Sequence, residues 1–107
     1  MLQSPLFTIR KTERFNKWLQ TLRDTQARAQ ILARLARFER GQVGDARSVG
    51  GGVLELRIHT GPGYRVYYTR IGARIVLLLA GGDKSTQSRD VSQARALAAN
   101  LHEEDLR

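Results

Sequence analysis

The sequence predicts an α+β fold with a twisted, mostly antiparallel sheet. An N-terminal helical hairpin is expected on one face of that sheet, and a C-terminal helix completes the order β-α-α-β-β-β-α. Apolar residues recur at helical spacing between Thr12 and Gly41, strand-like runs follow between Val53 and Ala80, and helical spacing returns from Gln87 to Leu101. The chain has 107 residues, which fits one domain spanning residues 1–107.

The N-terminal half is predicted as a short strand followed by two helices. Pro5 to Arg10 has the pattern of an edge strand. Thr12 is placed to cap the first helix, Asp24 or Thr25 to cap the second, and Gly41 ends the second helix. The apolar stripes of both helices are predicted to be core: Phe15, Trp18, Leu19, Leu22, Ala27, Ile31, Leu35 and Phe38.

A loop at Gln42 to Gly52 is predicted to separate the helices from three strands. The first strand is Val53 to His59, and the turn Thr60 to Gly63 joins it to the second strand, Tyr64 to Thr69. The third strand, Arg74 to Ala80, contains a continuous aliphatic run and is therefore expected to be central and buried. A Gly-Gly-Asp-Lys-Ser-Thr segment leads from it to the C-terminal helix.

Strand parity sorts the side chains of these strands onto two faces. The aliphatic residues of the first strand must point toward the helices, so Arg57 points to the opposite face. In the second strand, keeping Val66 in the core places Arg65 and Tyr67 on the face of Arg57. Lys84 follows the last strand in a glycine-preceded loop that can bring it to the rim of that face. This second face is expected to be largely open.

The composition favours an anionic partner and excludes several classes of site. The net charge is +8, and 15 of the 18 basic residues are arginines, whose guanidinium groups suit bidentate phosphate contacts. Because the chain has no cysteine, disulfides and thiolate metal sites are excluded. The chain also has no apolar run of about 20 residues and no secretory signal in Met1 to Arg10, so a cytoplasmic protein without a membrane segment is expected.

The predicted basic face fits cleavage of RNA without a metal or other cofactor. A ribose 2′-hydroxyl can attack its own 3′-phosphate, so the protein must supply orientation, charge stabilisation and proton transfer. Arg57 and Arg65 are predicted to hold the phosphate oxygens. Tyr67 is predicted to stack on a base or to place its hydroxyl near the phosphate, and Lys84 is the candidate for proton transfer.

Further residues are predicted around this site. The candidate RNA contacts are Arg34, Arg37, Tyr68, Gln87 and Asp90. Gln87 and Asp90 stand in the first turn of the C-terminal helix, where capping residues also belong, so structure is weighed ahead of function for both. Glu55 is expected to pair with one of the arginines, His59 to be a turn residue, and His102 to lie at the surface.

These residues resemble the killer component of phage-derived addiction modules in the RelE/ParE toxin superfamily, close to its HigB-like branch. The resemblance rests on Glu55 to Ile58, Gly61 to Tyr68, Leu78 to Gln87, and Asp90-Val91 with Ala94, and it covers essentially the whole chain. It implies a type II toxin, neutralised by an antitoxin that is typically a helix-turn-helix protein. The complex represses its own promoter, so promoter DNA is contacted only through the antitoxin complex.

RelE-like and HigB-like members cleave mRNA in the ribosomal A site without metal, so the resemblance implies the ribosome and mRNA as partners. It places the family's two strand arginines on Arg57 and Arg65, and its basic residue after the last strand on Lys84. The family's tyrosine pair falls on Tyr67 and Tyr68. The chain departs from the family near its end, where the C-terminal helix is long. The best-known ribosome-dependent members carry a catalytic arginine, tyrosine or histidine near the chain end, whereas the residues of that region here are Lys84, Gln87, Arg89 and Asp90, so the resemblance does not assign the proton-transfer roles.

The resemblance leaves an alternative open, a ParE-like inhibitor of DNA gyrase without nuclease activity, because the same fold supports both functions. The arginines of the second face and Lys84 favour cleavage, since a gyrase inhibitor needs no phosphate clamp there. The long helical hairpin would suit contact with gyrase. A plain RNA-binding module is disfavoured, because only Tyr67 is well placed for stacking.

Overall fold

The computed structural model describes residues 6–101 and has the predicted α+β architecture. Its elements are β1 (Thr8–Lys11), α1 (Glu13–Thr21), α2 (Thr25–Glu39), β2 (Ala46–Gly50), β3 (Val53–Ile58), β4 (Tyr64–Ile71), β5 (Ile75–Gly82), a 3₁₀ turn (Lys84–Thr86) and α3 (Gln87–Ala99). The five strands form one sheet in the order β1-β5-β4-β3-β2. Among residues 6–101, β1 and β5 are the one parallel pair and the other neighbouring strands are antiparallel, so the sheet is mixed and mostly antiparallel.

The predicted boundaries of the helical hairpin are confirmed by its caps. The Thr12 side chain accepts a hydrogen bond from the Phe15 amide at 3.1 Å, and the Asp24 side chain accepts one from the Ala27 amide at 3.1 Å. Gly41 ends α2 with a φ of +92°, a conformation that glycine adopts without a Cβ penalty. The N-terminal strand begins at Thr8, and the start of the predicted Pro5 to Arg10 strand lies outside the described residues.

Two layers of core confirm the predicted strand parity. The apolar stripes of α1 and α2 pack on one face of the sheet against side chains of the strands, namely Leu54, Leu56, Ile58, Tyr64, Val66, Tyr68, Val76 and Leu78. Side chains of the opposite parity form the second layer: Val53, Tyr67, Leu77 and Leu79. Within the described residues, no helix is long and apolar enough to cross a lipid bilayer.

The predicted loop at Gln42 to Gly52 is wrong in part, because it contains strand β2. This strand is a short edge strand of sequence Ala-Arg-Ser-Val-Gly with only two half-buried side chains, so it carries little hydrophobic signal. The end of β2 and the turn that joins it to β3 consist of three glycines. Gly50, Gly51 and Gly52 have φ values of +91°, +64° and +77°, which non-glycine residues rarely adopt.

The expectation of an open second face is also wrong in part. Helix α3 packs on that face, and Ala94 joins the second core layer, with Val91, Leu97, Ala98 and Leu101 packed beside it. The helix starts directly after the Lys84–Thr86 turn, so its N-terminus lies against β3 and β4. The uncovered part of the face is therefore the end of the β3–β4 hairpin that carries Arg57 and Arg65.

Candidate active site

The structure brings Arg57, Arg65 and Lys84 together. Arg57 on β3 and Arg65 on β4 are directly opposite each other in the strand register. Lys84 enters from the turn that follows β5, and the three side chains line one groove of about 640 Å³ with His59 and the Thr60–Gly63 turn. Three predicted residues from separate elements thus face a common space.

A buried carboxylate lies beneath this groove. Glu55 is 0% exposed, and its Oε1 accepts hydrogen bonds from Arg65 Nη1 at 3.0 Å, Arg47 Nε at 3.2 Å and Arg57 Nε at 3.4 Å. Its Oε2 accepts one from Gln87 Nε2 at 2.9 Å. The expected pairing of Glu55 with one arginine is therefore a pairing with three, and Gln87 ties the cluster to the first turn of α3.

The charge of Glu55 is stabilised by these partners. Burial acts to raise the pKa of Glu55, but the hydrogen bond from Gln87 and the charge of Arg65 outweigh it, so the pKa lies below its ordinary value. The arginines differ in exposure: the side chain of Arg65 is 12% exposed, that of Arg57 31% and that of Arg47 52%. Three arginine side chains of increasing exposure therefore surround one buried carboxylate, that of Glu55.

The lowered pKa of Glu55 predicts an acid-sensitive contribution to stability. A depressed carboxyl pKa stabilises the fold above the unfolded-state value of about 4.3, and this contribution is lost as the pH falls through the lower folded-state value. We expect Glu55→Gln to lower the unfolding temperature at pH 7 and the difference from wild type to shrink as the pH is lowered below the unfolded-state pKa of about 4.3. Thermal unfolding followed by circular dichroism measures this, and a difference that is constant with pH would contradict it.

The turn that carries Lys84 is stabilised by capping hydrogen bonds between its own residues. Asp83 accepts a hydrogen bond from the Ser85 amide at 2.8 Å, and it forms a capping box with Thr86. Hydrogen bonding from Ser85 lowers the pKa of Asp83. Lys84 itself is exposed, and no carboxylate among residues 6–101 pairs with it. Its backbone is fixed while its ammonium group stays available to the groove.

Asp90 is not placed for RNA contact. Its residue is 6% exposed, and its carboxylate accepts a hydrogen bond from the Thr86 hydroxyl. A Cβ on Gly82 would lie 1.9 Å from Asp90 Oδ2, so the glycine makes room for this carboxylate against β5. Its side chain joins α3 to the turn before it, which is the structural role that the sequence favours over RNA contact.

The two predicted tyrosine contacts are also wrong, because both rings are buried. Tyr67 is 0% exposed beneath α3, so no base can stack on it. Burial and the nearby Glu55 charge raise the pKa of its hydroxyl, which lies close to Glu55 without a hydrogen bond of good geometry. Tyr68 is 2% exposed in the other core layer, where its ring packs edge-on against Phe38 at 5.1 Å.

Tyr67→Phe is therefore expected to keep the fold. The substitution removes a buried hydroxyl that lacks a well-formed hydrogen bond, so the unfolding free energy should change by less than about 1 kcal/mol. Chemical denaturation of the two proteins checks this. A loss of unfolding free energy well above this value would show that the hydroxyl forms a stabilising hydrogen bond with Glu55.

A second groove of about 650 Å³ continues from the first, and they share Arg57, His59 and Thr60. The predicted RNA contacts Arg34 and Arg37 of α2 line it. Arg34 is partly engaged, since it donates hydrogen bonds to the carbonyls of Gln42 and Val43, whereas Arg37 is exposed.

His59 lies between the grooves, and its Nε2 is 2.7 Å from Asp45 Oδ2. This hydrogen bond lowers the pKa of Asp45. His102 lies outside the described residues. Among residues 6–101, no three His, Asp or Glu side chains lie together as metal ligands would.

Arg47 is the site residue that sequence reasoning missed. It lies on β2, directly opposite Glu55 in the strand register. Arg47 precedes Glu55 by eight positions, but this spacing predicts that the two side chains meet only if β2 is recognised as a strand that pairs with β3.

Comparison with known proteins identifies the family. Residues 17–101 match the family described as phage derived protein Gp49-like (DUF891). A protein of Haemophilus influenzae strain Rd, described as uncharacterized, is 47% identical over 93 residues, covering 87% of this chain and 94% of its own. The solved structure of the E. coli toxin RelE, a double arginine-to-alanine mutant in the free state, has a TM-score of 0.66 at 20% identity, covering 91% of this chain and 99% of that chain.

The structural likeness confirms the predicted RelE-type fold, and the match over residues 17–101 spans the site as well as most of the core. The chain belongs to the Gp49-like family of phage-derived proteins, and it has the fold of the RelE superfamily.

Proposed function

We propose that this protein is the toxin of a type II toxin–antitoxin system and that it arrests growth as a metal-independent, ribosome-dependent mRNA endonuclease. The observation that carries the proposal is the groove in which Arg57, Arg65 and Lys84 converge above a buried carboxylate. Membership of the Gp49-like family and the likeness to a structure named as a toxin support the first part. Within the RelE/ParE superfamily, we propose that this protein belongs to the HigB-like branch.

The arginines supply electrostatic stabilisation in this proposal. Attack of a 2′-hydroxyl on its phosphate adds negative charge to the non-bridging oxygens, and preorganised guanidinium groups stabilise that charge more than they stabilise the substrate. Arg65 is held rigidly by Glu55, and Arg57 faces it across the β3–β4 ladder. The bond between the 2′-oxygen and phosphorus forms as the bond between phosphorus and the 5′-oxygen breaks. Lys84 approaches from the other side of the groove and is assigned to donate a proton to the leaving 5′-oxygen, while the proton of the 2′-hydroxyl passes to water.

The second groove extends the proposed RNA path. A strand bound at Arg57 would continue past His59 and Thr60 to the exposed guanidinium of Arg37. Arg34 contributes indirectly, because its hydrogen bonds fix the segment at Gln42 and Val43 that forms the wall of the groove. The proposed partners are thus mRNA, the ribosome and a helix-turn-helix antitoxin, with promoter DNA bound only through the antitoxin complex.

Mapping of mRNA 5′ ends after induced expression tests the proposal. We expect new 5′ ends at A-site codons within translated regions shortly after induction. A strain that expresses Arg65→Ala serves as the control and should lack these ends. DNA damage with intact transcripts would overturn the nuclease assignment in favour of gyrase inhibition.

A further inference from the structure

We propose that Glu55 is a positioning residue, whose buried carboxylate orients three arginines as one phosphate-binding surface and exchanges no proton with the substrate. The three arginines are Arg47, Arg57 and Arg65. That the bound anion is RNA rests on the proposed function, whereas the arrangement of the arginines does not. Because Glu55 also orients Arg47, we assign Arg47 as a further RNA-binding residue.

Accessibility separates a positioning role from that of a general base. A general base must come within about 2.6–3.2 Å of the proton that it removes, directly or through one water. Glu55 is 0% exposed, Oε1 accepts from three arginines, and Oε2 accepts from Gln87. Both oxygens therefore accept hydrogen bonds from protein donors, and the residue has no exposed surface at which a substrate hydroxyl could reach it.

The donors that Glu55 uses leave the outer edges of the arginines free for an anion. Arg47 and Arg57 donate through Nε, so both terminal nitrogens of each guanidinium remain available. Arg65 donates through Nη1. A guanidinium anchored in this way presents a defined face to a phosphate, and little side-chain entropy is left to lose on binding.

The three arginines form a graded series across adjacent strands. Exposure of the side chain rises from 12% at Arg65 on β4 to 31% at Arg57 on β3 and 52% at Arg47 on β2. The deepest pair faces the groove that contains Lys84. Arg47 at the outer edge is placed for a phosphate next to the one that this pair holds, so one bound strand would engage all three.

A central negative charge is needed to assemble this series, because three guanidinium groups repel each other at such short range. The Gln87 amide adds a neutral donor and ties the carboxylate to α3. Removal of the charge while the shape is kept should therefore release the arginines. Glu55→Gln makes this change, and Glu39→Gln is the matched control, since Glu39 forms no ion pair among residues 6–101.

The first measurement needs no RNA. In ¹⁵N NMR spectra of the full chain, the Nε–H protons of Arg47 and Arg57 should exchange slowly with water, with assignments from Arg47→Lys and Arg57→Lys. We expect Glu55→Gln to accelerate this exchange at least tenfold and Glu39→Gln to leave it unchanged. Unchanged exchange in Glu55→Gln would overturn the positioning role, whatever the protein does to RNA.

The second measurement separates positioning from proton transfer. We expect Glu55→Gln to weaken binding of an RNA oligonucleotide with a 2′-O-methyl group at the cleavage position about tenfold, and to keep the shape of the pH–rate profile for cleavage on ribosomes. Unchanged binding, with cleavage reduced at least hundredfold and one limb of the profile lost, would make Glu55 a base. If wild type cleaves no RNA, the proposed function fails while the exchange measurement still decides the role of Glu55.

Arg47→Lys provides a second variant if Glu55→Gln does not fold. Lysine keeps the positive charge on exposed β2 but lacks the Nε–H that Glu55 accepts. We expect several-fold weaker binding of the oligonucleotide and an unchanged pH–rate profile. Binding equal to that of wild type would remove Arg47 from the phosphate-binding surface.

Discussion

Arg65→Ala is expected to abolish growth arrest and to slow mRNA cleavage about 100- to 1000-fold, the range observed when one preorganised donor to a developing oxyanion is lost. The side chain of Arg65 is only 12% exposed and is held by Glu55 at 3.0 Å, so its geometry is fixed before substrate binds. Arg57→Ala should act in the same direction with a smaller effect, because this side chain is 31% exposed and its contact to Glu55 is longer, at 3.4 Å. Single-turnover cleavage on programmed ribosomes measures both.

Arg74→Ala is the matched control for charge. Arg74 is exposed in the turn between β4 and β5, at the end of that hairpin opposite Arg65. Its removal lowers the net charge by the same amount, so it should leave the cleavage rate within about twofold of wild type. Full toxicity of Arg65→Ala at an equal protein level would show that the groove is not the active site.

Gly81→Ala is expected to destabilise the fold by about 3 kcal/mol, at the upper end of overpacking effects. A Cβ at this position would lie 2.1 Å from Cε3 of Trp18. The indole cannot easily retreat, because its ring packs against Phe15 at 5.7 Å and Tyr64 at 6.3 Å between centroids. For a domain of this size the change corresponds to a fall in unfolding temperature of roughly 10–20 °C.

A double-mutant cycle with Trp18 isolates this contact. Trp18→Ala removes the ring that the new methyl group would strike, so Gly81→Ala should cost much less in that background. Gly72→Ala is the control for glycine replacement: its Cβ meets nothing within 4 Å, and the cost of about 1–2 kcal/mol comes only from its φ of +64°. Equal costs of Gly81→Ala in the two backgrounds would exclude the steric explanation.

The parts of the fold that could be predicted from the sequence depend on local patterns. The caps at Thr12 and Asp24 and the parity of β3 and β4 follow from residues that are neighbours in sequence, and the structure confirms them. The alternation of side chains along a strand also predicts that Arg57 and Arg65 share a face, because each side chain of a strand points to one of only two faces of the sheet.

The parts that failed depend on distant contacts. Whether Tyr67 is exposed is decided by where α3 packs, and parity alone does not contain that information. Strand β2 has little hydrophobic pattern of its own and is stabilised by pairing with β3, so the sequence alone does not place Arg47 beside Glu55. The burial of Asp90 likewise depends on a glycine in another element, Gly82, and cannot be predicted from the residues next to it in the chain.

The carboxylate of Glu55 also sets the order in which the site can form during synthesis. Its donors lie 2, 8 and 10 positions away for the arginines, but 32 positions away for Gln87. An unfinished chain therefore contains all three arginines long before it contains the residue that completes the cluster and the helix that covers Tyr67. The arginine cluster is therefore complete only after Gln87 has been synthesised and α3 has packed on the sheet, so the groove is among the last parts of the domain to form.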